Sequence, residues 1–516
     1  ARLSALPDSP AGRGPYLQGW VGSCPTCPLP SPDAMSEPRA SDAGSDPQGA
    51  ARRPPGARRD GDASGTGGGP SSEQPRGHGS HAGHPGGGHG HGGHRHGGHA
   101  RGGHPRGAGG SGGGPPGMVR DFDQAPFLAI WETTQACDLA CKHCRAEAQP
   151  DRHPGELTTG EAKKLLSDLR RFGPIIFVFS GGDALKRPDI VELTRHGSEL
   201  GLRMAITPAT TPLCTGEILR ELHDAGMARL AVSLDGATAD VHDDFRQVEG
   251  SFEHGLRILR TAREVGMSTQ VNTVVARHNV DDFRRMAALL AELDIVFWEV
   301  FFLVPTGRAR PEDVAGADAF EGVFHDLYDL AAEVPFDIKA TAAPHYHRVV
   351  LQRKVEERRA GELTESSDVL TDGVGYSQQD GIGRARCVND GDGFLFVSHT
   401  GNIYPSGFLP LSAGNVRTHD VVRVYRESPL FTSLRDKSLR QGKCGVCEYL
   451  QVCGGSRARA WAVTGDCYEA EPFCPHVPER WSRMVESGRA EPVEEYFRKR
   501  GLRTGRALPV VEADEG

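Results

Sequence analysis

Residues 127–144 read Phe127-Leu-Ala-Ile-Trp-Glu-Thr-Thr-Gln-Ala-Cys137-Asp-Leu-Ala-Cys141-Lys-His-Cys144: a short apolar run, a polar turn, then three cysteines close together. The run Phe127 to Glu132 has the length and composition of a buried strand. The same unit of apolar run, turn and amphipathic helical stretch recurs along the chain. Further strands are expected at Ile175 to Ser180, Arg203 to Thr207, Arg229 to Leu234, Thr269 to Val275 and Ile295 to Val304. Helices are expected at Thr159 to Arg171, with Thr158 or Thr159 as N-cap, and at Ser251 to Val265, ending at Gly266. Six strands alternating with helices imply a parallel sheet covered by helices, because right-handed crossovers return the chain to the same side. The expected fold is α/β, a partial (β/α)6 TIM-like barrel.

In such a sheet chemistry collects beyond the carboxyl ends of the strands, and the unusual residues fall there. The cysteines follow the first strand, Ser180-Gly181-Gly182-Asp183 the second, Thr207-Pro208 the third and Ser233-Leu234-Asp235-Gly236 the fourth. A 4Fe-4S cube takes cysteine thiolates as ligands, so three cysteines on one loop leave one iron with an open position. The same trio would hold zinc if a distant Cys or His, or His143 within the loop, completed the set; zinc sites favour paired Cys-x-x-Cys knuckles, which the trio lacks.

Cys137-Asp-Leu-Ala-Cys141-Lys-His-Cys144 resembles the cluster loop of the radical S-adenosylmethionine (AdoMet) superfamily, with His143 where an aromatic residue is common. The resemblance implies that AdoMet chelates the open iron of a 4Fe-4S cluster. An electron from a donor such as flavodoxin or ferredoxin then cleaves AdoMet to methionine and a 5′-deoxyadenosyl radical, which removes a hydrogen atom from substrate. Ser180-Gly181-Gly182-Asp183 resembles the family's Gly-Gly-Glu motif, in which glycines admit the AdoMet amino group, with Asp183 in place of Glu. Ser233 and, after His242-Asp-Asp-Phe, Arg246 resemble the stretch that binds AdoMet's ribose and carboxylate, a guanidinium suiting the latter. Thr207 and Asn272 are further strand-end candidates.

Beyond residue 350 the pattern changes to a polar linker, a hairpin-like region from Gly393 to Tyr404, and a cysteine array, Cys444-x2-Cys447-x5-Cys453 with Cys474 further on. A segment this poor in apolar residues needs a metal for much of its folding energy, and spacing alone leaves one zinc or one iron cluster open. The array resembles the SPASM extension of radical AdoMet enzymes that modify ribosomal peptides, mature sulfatases or act in haem biosynthesis. Those extensions often hold two auxiliary 4Fe-4S clusters. Here Ser406 and Arg457 stand where cysteines of the full pattern are expected, which implies one auxiliary cluster lost and one kept on Cys444, Cys447, Cys453 and Cys474. Cys387 and Cys467 are alternatives to Cys474, and Cys214 reads as a small buried hydrophobe.

The expected organisation is a disordered Gly/Pro/His-rich tail at 1–117, a barrel at 118–345, a linker at 346–385, a small cysteine-rich iron-sulfur domain at 386–480 and a C-terminal helix and tail at 481–516. The tail cannot offset its ordering entropy, being almost free of aliphatic residues. Its nine Gly-spaced histidines from His78 to His104 offer loose metal binding without fixed geometry, and Cys24 and Cys27 form a lone Cys-x-x-Cys. Met35 and Met118 are both candidate translation starts. A net charge of -9 without a basic stripe argues against nucleic acid, and the most apolar stretch, Val296 to Val304, is too short to span a membrane and contains Glu299. With no signal-peptide pattern the cytoplasm is the expected compartment, where twelve cysteines read as metal ligands before disulfides.

Two substrate classes fit the resemblance, a ribosomal peptide or a tetrapyrrole such as a haem precursor with propionates. His345 and His347 are candidate substrate contacts, and Arg457 and Arg459 either bind carboxylates or cap the cluster domain. The reading from another class is a non-catalytic metal-trafficking protein whose His-rich arm collects metal.

Overall fold

The computed structural model describes residues 121–361, 375–376, 383–384 and 388–500. The expected tail, its histidines, Cys24, Cys27 and Cys387 lie outside those residues. Seven strands run parallel in chain order: β1 (Leu128–Glu132), β2 (Ile176–Ser180), β3 (Arg203–Ile206), β4 (Met227–Ser233), β5 (Ser268–Val275), β6 (Phe297–Phe302) and β7 (Asp337–Thr341). Eight helices follow or separate them: α1 (Thr159–Arg170), α2 (Ile190–Glu199), α3 (Gly216–Asp224), α4 (Ala239–Arg246), α5 (Ser251–Val265), α6 (Phe283–Glu292), α7 (Ala317–Glu333) and α8 (Tyr346–Ala360). Local chemistry sets their ends. Thr158 and Glu161 form a capping box on α1, and Gly266 closes α5 with φ 87°, a backbone region that costs glycine least.

Strand alternation divides the sheet into two environments. Trp131, Phe177, Phe179, Ile206, Val232 and Trp298 are buried in the main core. On the other face Leu128, Ile176 and Ala205, with Ile130, Val178 and Phe394, form a small apolar floor. Toward the carboxyl ends the floor-side positions become polar, at Glu132 and Ser180 in register and at Ser233, Asn272 and Glu299 in register. A lumen with an apolar bottom and a polar rim results.

Four features differ from the sequence expectation. A seventh parallel strand, β7, lies at the sheet edge beyond β6; its sequence, DIKAT, is too mixed to read as a buried run. The Gly393–Tyr404 region is a hairpin of Phe394–Val397 with antiparallel Asn402–Tyr404, but its first strand also pairs in parallel with β1, from Leu128↔Phe394 to Trp131↔Val397. With Gly414–Asn415 beyond it, the sheet reaches ten strands and runs continuously through the residue-386 boundary. The expected linker opens with α8, whose buried positions are Arg348, Val349 and Lys354, so no apolar stripe marks it. Ion pairs attach it to α7: Arg348 bonds Glu321 at 2.8 Å through one guanidinium nitrogen and Arg353 bonds Asp329 at 2.8 Å. At 481–516 two helices replace the single one expected, Glu479–Glu486 and Val493–Lys499, and Trp481, Tyr496 and Phe497 pack with Ala470.

Arg457 and Arg459 are fully buried and cap rather than face substrate. Arg457 donates to the carbonyls of Cys467 and Glu469 at 2.9 and 2.8 Å. Arg459 donates to the carbonyls of Phe302 and Ala342, both at 2.9 Å, and pairs with buried Glu471 at 3.3 Å, fastening the cysteine-rich segment to β6 and the loop after β7. Removing one partner of a buried pair leaves an uncompensated charge. Arg459→Met is therefore expected to destabilise the protein by about 3–5 kcal/mol, read as a lower urea midpoint; an unchanged midpoint would mean that the staple contributes nothing.

Candidate active site

The loop after β1 is closed at its base by backbone pairing, with Cys137 N donating to Gln149 O at 2.7 Å and Gln149 N to Gln135 O at 3.0 Å. Inside the loop Cys137, Leu139 and Cys141 are buried against Cys144, Ala148, Ala209 and Val248. Each sulfur receives one N–H. Leu139 N lies 3.4 Å from the Cys137 sulfur, Ala148 N 3.4 Å from that of Cys144, and Arg246 reaches that of Cys141 at 3.7 Å. Burial pushes the Cys137 thiol up to about 12 and raises that of Cys141. Without a cation these sulfurs hold protons, which metal uptake would displace.

Sulfur spacing separates a cluster from a single ion. Thiolates on one tetrahedral zinc lie about 3.8 Å apart, given Zn–S bonds of about 2.3 Å. Among the described residues the ligand atoms of Cys447, Glu448 and His476 all lie within 4.8 Å of one another, and the sulfurs of Cys137, Cys141 and Cys144 do not all do so. A cube does not require such gathering, because its cysteines bond separate irons.

The glycine pair serves this loop directly. Gly182 N donates to Thr134 O at 2.8 Å and Asp183 N to Ala136 O at 2.7 Å, pressing the turn after β2 onto the segment that enters the cysteines. A Cβ on Gly182 would lie 2.4 Å from Ala136 O, and one on Gly181, whose φ is 148°, 2.5 Å from Thr134 O. Both obstacles are backbone and cannot rotate away. Gly182→Ala is expected to shift the cysteine loop and cut iron bound there at least several-fold, measured as iron per chain after anaerobic reconstitution; normal iron content would show that the close approach does not matter.

Asp183 is fully buried and committed to the scaffold: its carboxylate accepts from Thr211 Oγ1 at 2.6 Å, Leu185 N at 3.1 Å and Ala209 N at 3.3 Å, joining the turns after β2 and β3. Arg246, at the end of α4, has its guanidinium held by Asp235 at 2.6 Å besides its contact with the Cys141 sulfur. Burial acts to raise Asp235, but the Arg246 charge, together with His143, His242 and the Val274 N–H, outweighs it and holds the carboxyl at about 2. Arg246 thus pins α4 to the cysteine loop. His143 stacks on Phe245 at 4.2 Å, and Phe245 on His278 at 4.0 Å. Burial, helped by Arg246, pushes His143 down to about 3, and its Nδ1 is buried with no protein partner.

Ser180, Thr207, Ser233 and Asn272 are half-buried at the rim beside the loop. Two charged groups there were not among the sequence candidates. Glu132, at the end of β1, pairs with Arg145, the residue after Cys144, and lies 2.6 Å from His399 Nδ1 of the hairpin. Glu299 accepts from Lys339 at 3.0 Å, Thr341 at 2.7 Å and Gln270 at 2.9 Å across β5, β6 and β7. The available signal was a carboxylate within an otherwise apolar run, present at Glu299 in FWEVFF and at Glu132 in LAIWE.

In the C-terminal segment Cys444, Cys447, Cys453 and Cys474 line one small pocket, with Lys443 and His476 on its wall. Backbone N–H groups of Glu471 and Gly455 lie 3.3 Å from the sulfurs of Cys444 and Cys453. Burial raises the Cys453 thiol well above its ordinary range and that of Cys447 to about 11. Cys467 lies apart, in an apolar group with Val304, Leu409 and Leu430, and Cys214 is buried in the main core. Ser406, where a cysteine was expected, bonds Asp390, which also accepts from Ala458 N at 2.9 Å. With Arg457 turned to carbonyls, protein hydrogen bonds occupy these two positions.

Residues 131–290 match the family model described as the radical SAM superfamily. The chain is 39% identical to the AdoMet-dependent heme synthase of Methanosarcina barkeri over 69% of its own length and 97% of that protein. It is 30% identical to the Fe-coproporphyrin III synthase of the same organism, over 68% and 88%. Streptococcus suis SuiB, solved with its precursor peptide SuiA, shares the fold with a TM-score of 0.53 at 16% identity, over 68% of this chain and 76% of that one. No helix among the described residues is long and apolar enough to cross a membrane. With its three-cysteine loop on the carboxyl rim of a partial barrel, the chain belongs to the radical SAM superfamily, as an enzyme that uses a 4Fe-4S cluster and AdoMet.

Proposed function

We propose that this enzyme oxidatively decarboxylates propionate side chains of an iron tetrapyrrole, and that a second 4Fe-4S cluster assists. The observation that carries this reading is the 39% identity over 355 residues, spanning 97% of an AdoMet-dependent heme synthase. Cys137, Cys141 and Cys144 hold the first cluster, with Arg246 and two backbone N–H groups supporting its sulfurs. Ser180, Gly181, Gly182, Thr207 and Ser233 border AdoMet, while Asp183 braces their loops. When bound, the cluster and AdoMet supply a 5′-deoxyadenosyl radical that removes one hydrogen atom.

Converting a propionate to a vinyl group removes that hydrogen atom, CO2 and one electron. The electron needs an acceptor, and the cavity of Cys444, Cys447, Cys453 and Cys474 has the ligand set for a redox-active cluster. Rim cations at Arg145 and Lys339, each balanced by a carboxylate, suit an acidic substrate, because a side-chain carboxylate can exchange with Glu132 or Glu299. A ribosomal peptide is the second substrate class, supported by the fold shared with SuiB.

Anaerobically reconstituted protein given dithionite, AdoMet and iron coproporphyrin III should release CO2 and a product lacking CO2 and two hydrogens per converted side chain. Deuterium placed on the propionate carbon next to the ring should appear in 5′-deoxyadenosine. AdoMet cleavage with no deuterium transfer and no porphyrin product would rule out the tetrapyrrole reading while leaving the family assignment intact.

A further inference from the structure

The wall of the C-terminal cysteine cavity is not made by the cysteine-rich segment alone. His345 and Arg348, at the β7–α8 junction, line it together with the four cysteines. His345 is fully buried, and both of its ring nitrogens lack any protein partner. Its ring is fixed edge-on against Phe324 of α7, with centroids 4.7 Å apart at 87°. Arg348 spends its terminal nitrogens on Glu321 and Gln352, at 2.8 and 2.7 Å, yet its Nε is also buried and unpartnered. Two side chains lining the same pocket thus each carry buried nitrogen with no protein partner. Leaving such groups unsatisfied is costly, and proteins rarely do so without a ligand or water to receive them.

The chemistry of the space says what that ligand is. Four thiolates around a 4Fe-4S core carry net negative charge, with acceptor sulfurs facing outward. The wall supplies the complement: an imidazole N–H, a guanidinium N–H, and the Lys443 ammonium, which bonds the Cys474 carbonyl and lies 3.2 Å from that of His476. Resting on the second-cluster reading above, we propose that His345 and Arg348 donate hydrogen bonds to the sulfurs of the auxiliary cluster and raise its reduction potential. The redox poise of that cluster is then set from the barrel side, by the junction that follows the lumen strand bearing Lys339 and Thr341. His345 is accordingly a positioning and tuning residue and not a surface contact for substrate.

The test is an EPR-monitored redox titration of the full chain, reconstituted anaerobically, for wild type, His345→Leu and His345→Gln, with the AdoMet-site cluster as internal reference. The midpoint potential of the auxiliary signal should move to more negative values in His345→Leu. His345→Gln, which keeps an N–H, should fall between that value and wild type. Wild-type potentials in both variants, or loss of the second cluster from both, would overturn the inference. A wild-type protein with about four irons and one EPR signal would instead overturn the second-cluster reading beneath it.

Discussion

Alanine at Cys141 should abolish 5′-deoxyadenosine formation and lower iron from about eight to about four per chain. Its sulfur is the one that Arg246 reaches, and the residue is buried at the centre of the loop. Without it, two sulfurs remain at a site that needs three, and the Arg246 N–H loses its acceptor. Asp235 still holds the guanidinium, so α4 should stay in place and the loss should be one of metal and not of fold. The measurement pairs iron analysis with chromatography of the products formed from AdoMet under dithionite. Wild-type amounts of 5′-deoxyadenosine from this variant would remove Cys141 from the chemistry.

Alanine at Cys453 should act on the other half. The Cys453 sulfur accepts from Gly455 N, and burial, together with the neighbouring Cys474 and Cys444 thiols, raises it well above its ordinary range, so that a bound cation favours the thiolate. Its removal should empty the C-terminal cavity and leave about four irons on the three-cysteine loop. Since the bound metal contributes much of the folding energy of a small segment, the residues around it should become more protease-sensitive. Under the proposed decarboxylation, the porphyrin product should fall by about a hundredfold or more, because the electron left after CO2 departs would have no nearby acceptor. Full product yield from an enzyme with about four irons would refute an auxiliary cluster with a redox role.

The barrel was legible where strands are buried on both faces. β2 and β6 sit within their expected runs, and α5 covers the expected residues, since an apolar stripe and two flanking glycines mark it. What stayed hidden follows a physical pattern. β7 lies at an edge with Asp337 and Lys339 in five residues, and α8 buries Arg348 and Lys354 among few apolar residues, so neither shows the periodicity that reading by hydrophobicity needs. The hairpin was visible as a hairpin, but its parallel pairing with β1 is a contact across more than 260 residues that no local signal encodes.

At the candidate site the cysteine spacings were plain in the sequence, and so was the Gly-Gly turn. The partners of individual side chains were not. Arg246 is engaged by Asp235 and Asp183 by Thr211, because both depend on which loops the sheet brings together. His345 reads in sequence as one of two histidines around a tyrosine, yet folding buries it in the cysteine cavity with both nitrogens unpaired.

The open iron coordinated by AdoMet can be observed directly. In Cys453→Ala protein, where the three-cysteine loop alone should hold a cluster, the reduced state is frozen with AdoMet carrying a 17O-labelled carboxylate and 15N-labelled amino group, and hyperfine couplings are recorded by pulsed EPR. Strong couplings from both labels are expected, as direct bonds to one iron produce. A cluster signal without either coupling would contradict the binding of AdoMet at the vacant corner.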